Sequence, residues 1–332
     1  MWNVVQCAVQ GRSHEQAETP CQDKTYAIYN NDIYVIALAD GAGSATLSHF
    51  GAECCAKGVC ELLSEQFDDY FMEEDGIIVK KNILDSLREE LGKVSVKYDC
   101  SIKELASTLL TVAVHKGKYI LIHIGDGVIG YLRDNNIGIA SYPSNGEYIN
   151  STTFVTSGDA LQTMNLLKGE LNGIHGFVMM SDGTEASLYD KNKKCLAPVI
   201  RKLMKLSCVL PIEHLQHEIE ISFENVIRSM TYDDCSISML VEEDTSFQGY
   251  KGLSFNQKRK LLDIKYYSGV QKRIKRYDDI LEFIIEPKTI TQISEKLGLH
   301  NKYCKKYLDY LVEHNMIKEN NGLYSTTVIM EK

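Results

Sequence analysis

The chain has 332 residues, 44% apolar and 24% charged, with 23 Gly and only 5 Pro, which excludes collagen-like, low-complexity and wholly disordered classes. Its 36 basic and 45 acidic residues give a net charge of −9, which argues against nucleic-acid binding over the whole length. The charge is divided: from Asp244 onward 16 Lys/Arg face 11 Asp/Glu, a net of +5, whereas the first 243 residues carry 20 and 34, a net of −14.

The N-terminus, MWNVVQCAVQGRSHE, has no basic segment leading into an apolar core, so it does not read as a signal peptide. Asp23 precedes TYAIY, and Ile33–Ala39 (IYVIALA) is an apolar, β-branched run ending in Asp40-Gly41, the pattern of a buried strand. Helical spacing predicts a helix from Ser48, read as its cap, to about Phe71, and a second from about Ile78 to Leu91. Strand signals return at Ser107–Val114, Tyr119–Ile124, Val128–Leu132 and Ile137–Ser141. The turns between them, Lys116-Gly117, Gly125-Asp126-Gly127 and Asp134-Asn135-Asn136, are too short for crossover helices, so one antiparallel meander is expected. Gly176–Met180 reads as a strand before Ser181-Asp182-Gly183. Helices around 193–207 and 212–229 follow, then a last strand, Cys235–Val241. Short hairpins mixed with helix pairs indicate an α+β layered domain.

A polar stretch, EEDTSFQGYKG, leads into basic helical sequence holding Lys258-Arg259-Lys260 and the run Lys272 to Arg276. Thr289 with Gln292 forms a capping box, Gly298 ends that helix, and a longer one runs over about Asn301–Glu313. IKENNGLYSTT then reads as a hairpin with Asn-Gly at its tip. Helix, turn, helix and hairpin outline a winged helix-turn-helix. The division expected is 1–243, a catalytic domain; 244–276, a polar then basic linker or helix; and 277–332, a winged-helix-like domain. Ten cysteines with no CxxC spacing point to reduced thiols, and no window approaches the ~18 apolar residues of a membrane span, so the expected location is cytoplasmic.

The chemistry lies in aspartates at strand ends: Asp40, Asp126 and Asp182, each followed by glycine, with Asp233 and Asp234 before the last strand and Asp23 before the first. Each Asp-Gly is by itself also a common turn. Together, carboxylates placed where strands leave the core would converge on one sheet edge, where only cations allow them to stay ionised. Hard oxygen donors select Mg²⁺ or Mn²⁺. Two such ions would turn a bridging water into a hydroxide able to attack phosphorus in line.

Five ordered motifs across about residues 6–242 carry a resemblance: Cys21-Gln22-Asp23, the run from Ala39 to Ser44, Ser107-Thr108-Leu109 leading to Gly125-Asp126-Gly127, Ser181-Asp182-Gly183, and Asp233-Asp234-Cys235-Ser236. The set resembles the metal-dependent type 2C protein serine/threonine phosphatases. GRSHEQAETPCQD and GEYINSTTF look most like a bacterial branch. The resemblance implies a four-layer αββα sandwich of two antiparallel sheets flanked by helices, with the metals between the sheets. It implies that Asp40 bridges two Mn²⁺ or Mg²⁺ ions, that the Gly41 carbonyl binds one of them, and that Asp182 and Asp233 complete the other ion's ligands. Asp23 would hold metal-bound water, and Asp126 would serve a third, weaker ion. Two departures stand out. Many eukaryotic members have a His where this chain has Ala42. The family's phosphate-binding Arg lies a few residues before the aspartate matching Asp23, whereas Arg12 is eleven residues upstream, so Arg12 and His14 are the candidates for phosphate binding.

The implied activity is hydrolysis of phosphoserine and phosphothreonine in phosphorylated protein substrates, within bacterial signalling that pairs it with a serine/threonine kinase. Two alternatives stand beside it: a catalytically weak phosphoprotein-binding scaffold on the same fold, and a DNA-binding regulator whose tail sets Lys302, Lys305 and Lys306 on phosphates. The modest charge of the tail favours protein docking over nucleic acid.

Overall fold

A computed structural model describes residues 1–134, 136–144, 152–210, 212–244, 247–314 and 316–326. The chain forms two compact units, Met1–Ser207 with Ile212–Glu242, and Cys208–Pro211 with Glu243–Lys332.

The first unit contains, in chain order, β1 (Trp2–Val9), α1 (Arg12–Gln16), β2 (Lys24–Asn30), β3 (Ile33–Ala39), α2 (Ser48–Met72), α3 (Gly76–Tyr98), β4 (Leu109–His115), β5 (Lys118–Ile124), β6 (Val128–Arg133) and β7 (Asn136–Ser141). There follow α4 (Ala160–Thr163), β8 (Asn165–Glu170), β9 (Ile174–Met180), α5 (Asp182–Leu188), β10 (Tyr189–Asp190), β11 (Cys195–Leu196), α6 (Pro198–Val209), α7 (Ile212–Ser222), α8 (Arg228–Met230) and β12 (Cys235–Glu242). Two five-stranded antiparallel sheets result, ordered β1-β12-β9-β6-β7 and β2-β3-β4-β5-β8.

Alternation along β3 explains why the run is apolar throughout. Ile36 and Leu38 point into the core between the sheets, with Leu110, Val112, Phe177, Met179 and Leu240. Val35, Ala37 and Ala39 point the other way, beneath α2 and α3. A strand buried on both faces has no polar positions to show. Across the sandwich, α7 lies on β1, and Gln216 of that helix closes an open strand edge. Its Oε1 accepts from the Gln6 N–H at 3.1 Å and its Nε2 donates to the Gln6 carbonyl at 2.6 Å. This is the expected four-layer α+β sandwich.

Several local expectations are corrected. The four strands after Ser107 are not one meander: β4 and β5 pair in one sheet, β6 and β7 in the other. Gly125-Asp126-Gly127 is therefore the passage between sheets and not a hairpin turn. Ser48 does not cap α2; the cap position is Leu47, and the Ser48 hydroxyl is buried without a partner. Residues 195–196 pair with 189–190, which delays α6 to Pro198. The 212–229 helix is interrupted by a π-turn at Phe223–Ile227. The edge strands β1 and β8 are additional to those read from the sequence. The segment 145–151 of the GEYINSTTF motif, and Asn135 of one turn, lie outside the described residues.

The second unit holds α9 (Phe247–Lys251), α10 (Phe255–Leu261), α11 (Val270–Phe283), β13 (Lys288–Thr289), α12 (Ile290–Leu297), α13 (Asn301–Glu313), β14 (Ile317–Asn320) and β15 (Leu323–Thr326), with sheet order β13-β15-β14. The Thr289–Gln292 capping box is present, Gly298 takes the left-handed conformation (φ 62°), and Asn321-Gly322 turns the hairpin. Much of the basic sequence is occupied within the unit. Lys258 pairs with Asp278 at 3.0 Å, Arg259 binds the Ile264 carbonyl, and Arg273 and Arg276 bind the hydroxyls of Tyr277 and Tyr307. Lys305 of α13 contacts Asp309, Glu319 and Tyr324 at 2.7–3.2 Å, so of the three lysines assigned to phosphates it is already engaged.

Candidate active site

Antiparallel pairing sets the location of the site. The C-terminal ends of β3, β5 and β9 and the N-terminal ends of β2, β4, β6 and β12 share one edge of the sandwich, because Lys24 pairs with Ala39, Leu109 with Ile124, and both Val128 and Ile237 with Met180. Each aspartate from the five motifs sits at one of these ends. Strand-end carboxylates far apart in sequence are thus brought together.

Backbone clamps fix them. The Asp40 N–H donates to Thr108 Oγ1 at 2.9 Å, and the Thr108 N–H returns to the Asp40 carbonyl at 2.8 Å. This gives Ser107-Thr108 its role, holding the end of β3. Gly41 bridges to Ser107 and donates to the Gln22 carbonyl at 3.2 Å. A Cβ at Gly41 would stand 2.8 Å from Ser48 Cβ, so helix packing itself demands glycine there. Asp182 opens α5, and the preceding Ser181 accepts from the Ser236 N–H at 3.1 Å, joining the motif at β9 to the motif at β12.

The two adjacent aspartates divide the work. Asp234 is buried, its carboxylate accepting from the Gly11 N–H at 2.6 Å and the Gln22 N–H at 2.5 Å and lying 2.9 Å from His14 Nδ1. It is a brace for the 11–22 loop. Asp233 is exposed at the same edge, and its Oδ1 accepts from the Asp234 N–H at 2.9 Å. His14 is thus placed on Asp234. Arg12 donates from Nε to the Thr231 carbonyl at 3.0 Å and stacks 4.3 Å over the Tyr232 ring, next to Asp233. Asp126 accepts from the Thr152 hydroxyl at 2.6 Å.

Crowding of like charge dominates the electrostatics. The Asp40 carboxyl is pushed well above the usual carboxylate range, first by burial and then by Asp23, Asp182, Asp233 and Asp126. Asp182 is raised by burial and by Asp126 and Asp233, while a hydrogen bond with Asp40 works the other way. Burial pushes Asp23 up to about 7, against the opposing Ser236 and Ser181 hydroxyls. Both oxygens of Asp23 and Oδ1 of Asp182 are buried without a well-formed hydrogen bond to the protein. Buried acceptors left without donors, all of them hard oxygens, fit a divalent cation. Among the described residues no three His, Cys, Asp or Glu side chains converge on one point. Hard oxygen donors of this kind suit ions that complete their sphere with carbonyl oxygen and water, as Mg²⁺ does.

Glu185, absent from the sequence reading, belongs to the same neighbourhood. It lies three residues after Asp182 on α5, its side chain is buried, and burial pushes its carboxyl up to about 7. The i, i+3 spacing from Asp182 is the signal that would have marked it, had a helix been placed there. Its near neighbour Gly183 has a steric reason: a Cβ would fall 2.0 Å from the Asp234 carbonyl oxygen. Gly183→Ala is accordingly expected to lower unfolding stability by about 3 kcal/mol and to separate Asp182 from Asp233. Urea denaturation within about 0.5 kcal/mol of wild type would contradict this packing.

Comparison with known proteins bears on the fold and the family. A family model described as "Protein phosphatase 2C" matches residues 10–215, and one described as "Winged helix-turn-helix" matches residues 272–329. The serine/threonine-protein phosphatase 3 of Escherichia coli is 24% identical over 168 residues, 49% of this chain and 66% of that protein. A bacterial serine phosphatase structure is similar at a TM-score of 0.53 and 12% identity, covering 73% of this chain and 98% of its own. A serine/threonine phosphatase structure from Staphylococcus aureus gives 0.51 and 12%, covering 73% and 96%. Structural likeness at such identities speaks for the fold alone, whereas the family match spans more than half of the chain. The chain belongs to the protein phosphatase 2C family, with a winged helix-turn-helix region following its phosphatase fold.

Proposed function

We propose that this protein is a Mn²⁺- or Mg²⁺-dependent phosphatase that hydrolyses phosphoserine and phosphothreonine in protein substrates, acting in the cytoplasm against a serine/threonine kinase in bacterial signalling. The observation that carries this reading is the set of buried, unpartnered carboxylate oxygens on Asp23 and Asp182 at an edge shared by Asp40, Asp126 and Asp233. Asp40, the Gly41 carbonyl, Asp182 and Asp233 would hold two ions, with Asp126 available to a third. Bound there, the ions would supply a nucleophile from water at neutral pH and neutralise the phosphoryl oxygens. The protein's own contribution is placement. The Thr108 and Ser236 clamps hold Asp40 and Asp182 in register, Asp23 would orient water from outside the direct ligands, and Arg12, which stacks on Tyr232 next to Asp233 in sequence, is the candidate to meet the phosphate. Ala42 offers no proton, so the leaving alkoxide takes one from water. The tail is a protein-docking module, a reading supported by the internal engagement of Lys258, Arg259, Arg273, Arg276 and Lys305.

The full chain should hydrolyse p-nitrophenyl phosphate and phosphopeptides with Mn²⁺ and lose that activity in EDTA, with Asp40→Asn inactive. Metal-independent turnover, or an active Asp40→Asn protein, would refute the assignment.

A further inference from the structure

A second set of groups adjoins the carboxylate edge. A cavity of about 270 Å³ is lined by Asp126, Asp182 and Glu185 together with Tyr142, Lys191 and Lys194. The two lysines belong to the turn joining β10 to β11. That turn is fixed: Asp190 Oδ1 accepts from the N–H groups of Asn192 and Lys193, both at 3.0 Å, and Lys194 takes the left-handed conformation at φ 50°. Lys193 is spent on Asp190 at 3.4 Å. Lys191 and Lys194 are differently placed. Lys191 Nζ stands 3.6 Å from Glu185 Oε1, and Glu185 is a side chain only 1% exposed whose two oxygens have no hydrogen bond. Lys194 Nζ lies 5.9 Å from the Tyr142 ring centroid, with no carboxylate partner among the described residues.

We propose that Lys191 and Lys194 form a subsite for the carboxylate of an acidic residue flanking the phosphorylated residue of a peptide substrate, with Glu185 as the positioning residue that holds Lys191 over the cavity. This rests on the phosphatase reading and adds to it a substrate class, acidic phosphopeptides. Arg12 stacks on Tyr232, the residue before Asp233, whereas the lysines line the cavity with Asp126 and Asp182, and Asp182 is raised by both Asp126 and Asp233. A substrate with its phosphate at the carboxylate edge and an anion one step along thus meets cations at both places. A neutral neighbour leaves Lys194 without a counter-charge, and a basic one opposes both ammonium groups.

The test uses the full-length, Mn²⁺-loaded protein with three substrates: p-nitrophenyl phosphate, a phosphopeptide with acidic flanks, and the same peptide with neutral flanks. Wild type should favour the acidic peptide by about five- to tenfold in kcat/KM, the scale of two exposed charge pairs. Lys191→Ala/Lys194→Ala should remove that preference through KM, leaving kcat and p-nitrophenyl phosphate turnover unchanged. Lys191→Glu/Lys194→Glu should turn it toward basic flanks. An unchanged acidic-to-neutral ratio, or an equal loss on all three substrates, overturns the subsite. Fluorescence anisotropy with the same labelled peptides reads the preference without turnover. An inactive wild type would therefore refute the phosphatase reading while binding still decides the subsite, with equal affinity for both peptides ruling it out.

Discussion

Asp182→Asn should abolish Mn²⁺-dependent hydrolysis, by on the order of a thousandfold, and yet make the metal-free protein more stable. The two effects share one cause. Asp182 is half-buried, with Oδ1 enclosed, close to Asp126 and Asp233, and adds to the repulsion at Asp40. Removing its charge relieves like-charge crowding worth about 1 kcal/mol, or 2–4 °C in melting temperature for a unit of this size. If Asp182 is an ion ligand, as proposed, the same change also removes it, so any stabilisation of wild type by Mn²⁺, about 2.7 kcal/mol at a hundred times the dissociation constant, should largely disappear. The pH response has the same origin. Asp23, raised to about 7 in the folded state from an ordinary 3.8, keeps a proton that the unfolded chain gives up. Stability of the metal-free protein should therefore fall as pH rises from about 4 to 7, whereas metal binding, which needs ionised ligands, should strengthen over that range. Thermal melts with and without MnCl₂ at pH 5 and 7 measure both; a variant as active and as Mn²⁺-stabilised as wild type would sink the ligand role.

The neighbouring position should behave in the opposite way. Asp234→Ala removes the acceptor for the Gly11 and Gln22 N–H groups and the partner of His14, and strands buried donors. Hydrogen bonds to a buried charge are worth about 1.5–3 kcal/mol each and do not simply add, so a loss of about 3–5 kcal/mol is expected by urea denaturation. The loop that carries Arg12 and leads into Asp23 should loosen with it. Asp233→Asn, at an exposed side chain, should leave stability within about 0.5 kcal/mol of wild type. Equal stability losses for the two variants would show that the brace and the exposed carboxylate are not distinct.

The architecture was legible because β3 and β12 are apolar runs bounded by Asp motifs, and because the helix and wing signals of the tail, Thr289–Gln292, Gly298 and Asn321-Gly322, are local. The ends of the meander were not. Whether Gly125-Asp126-Gly127 turns back into the same sheet or passes to the other depends on what lies across the sandwich, which no local spacing records. Edge strand β1 was missed although Val5, Cys7 and Val9 alternate inward. Eight residues that place Asn and Gln among the apolar positions carry little signal. Of the site, the aspartates were visible in their motifs, while Glu185, Lys191 and Lys194 lie in a short helix and a two-residue-strand hairpin that have no such mark. Arg12 and His14 stand upstream of Asp23 where the resemblance implies a phosphate-binding Arg, and the structure sets His14 on Asp234 and Arg12 on Tyr232.

The bond from Gly11 to Asp234 spans 223 residues of sequence. Closing so long a loop is slow and brings no benefit until both ends are in place. During synthesis the N-terminal half of the sandwich would leave the ribosome with Asp23 and Asp40 in hand but with neither Asp182 nor Asp233 to complete the edge. On the proposed reading, a nascent or truncated chain would therefore lack part of its ion-binding edge, and activity should appear only once β12 of the sandwich is laid down.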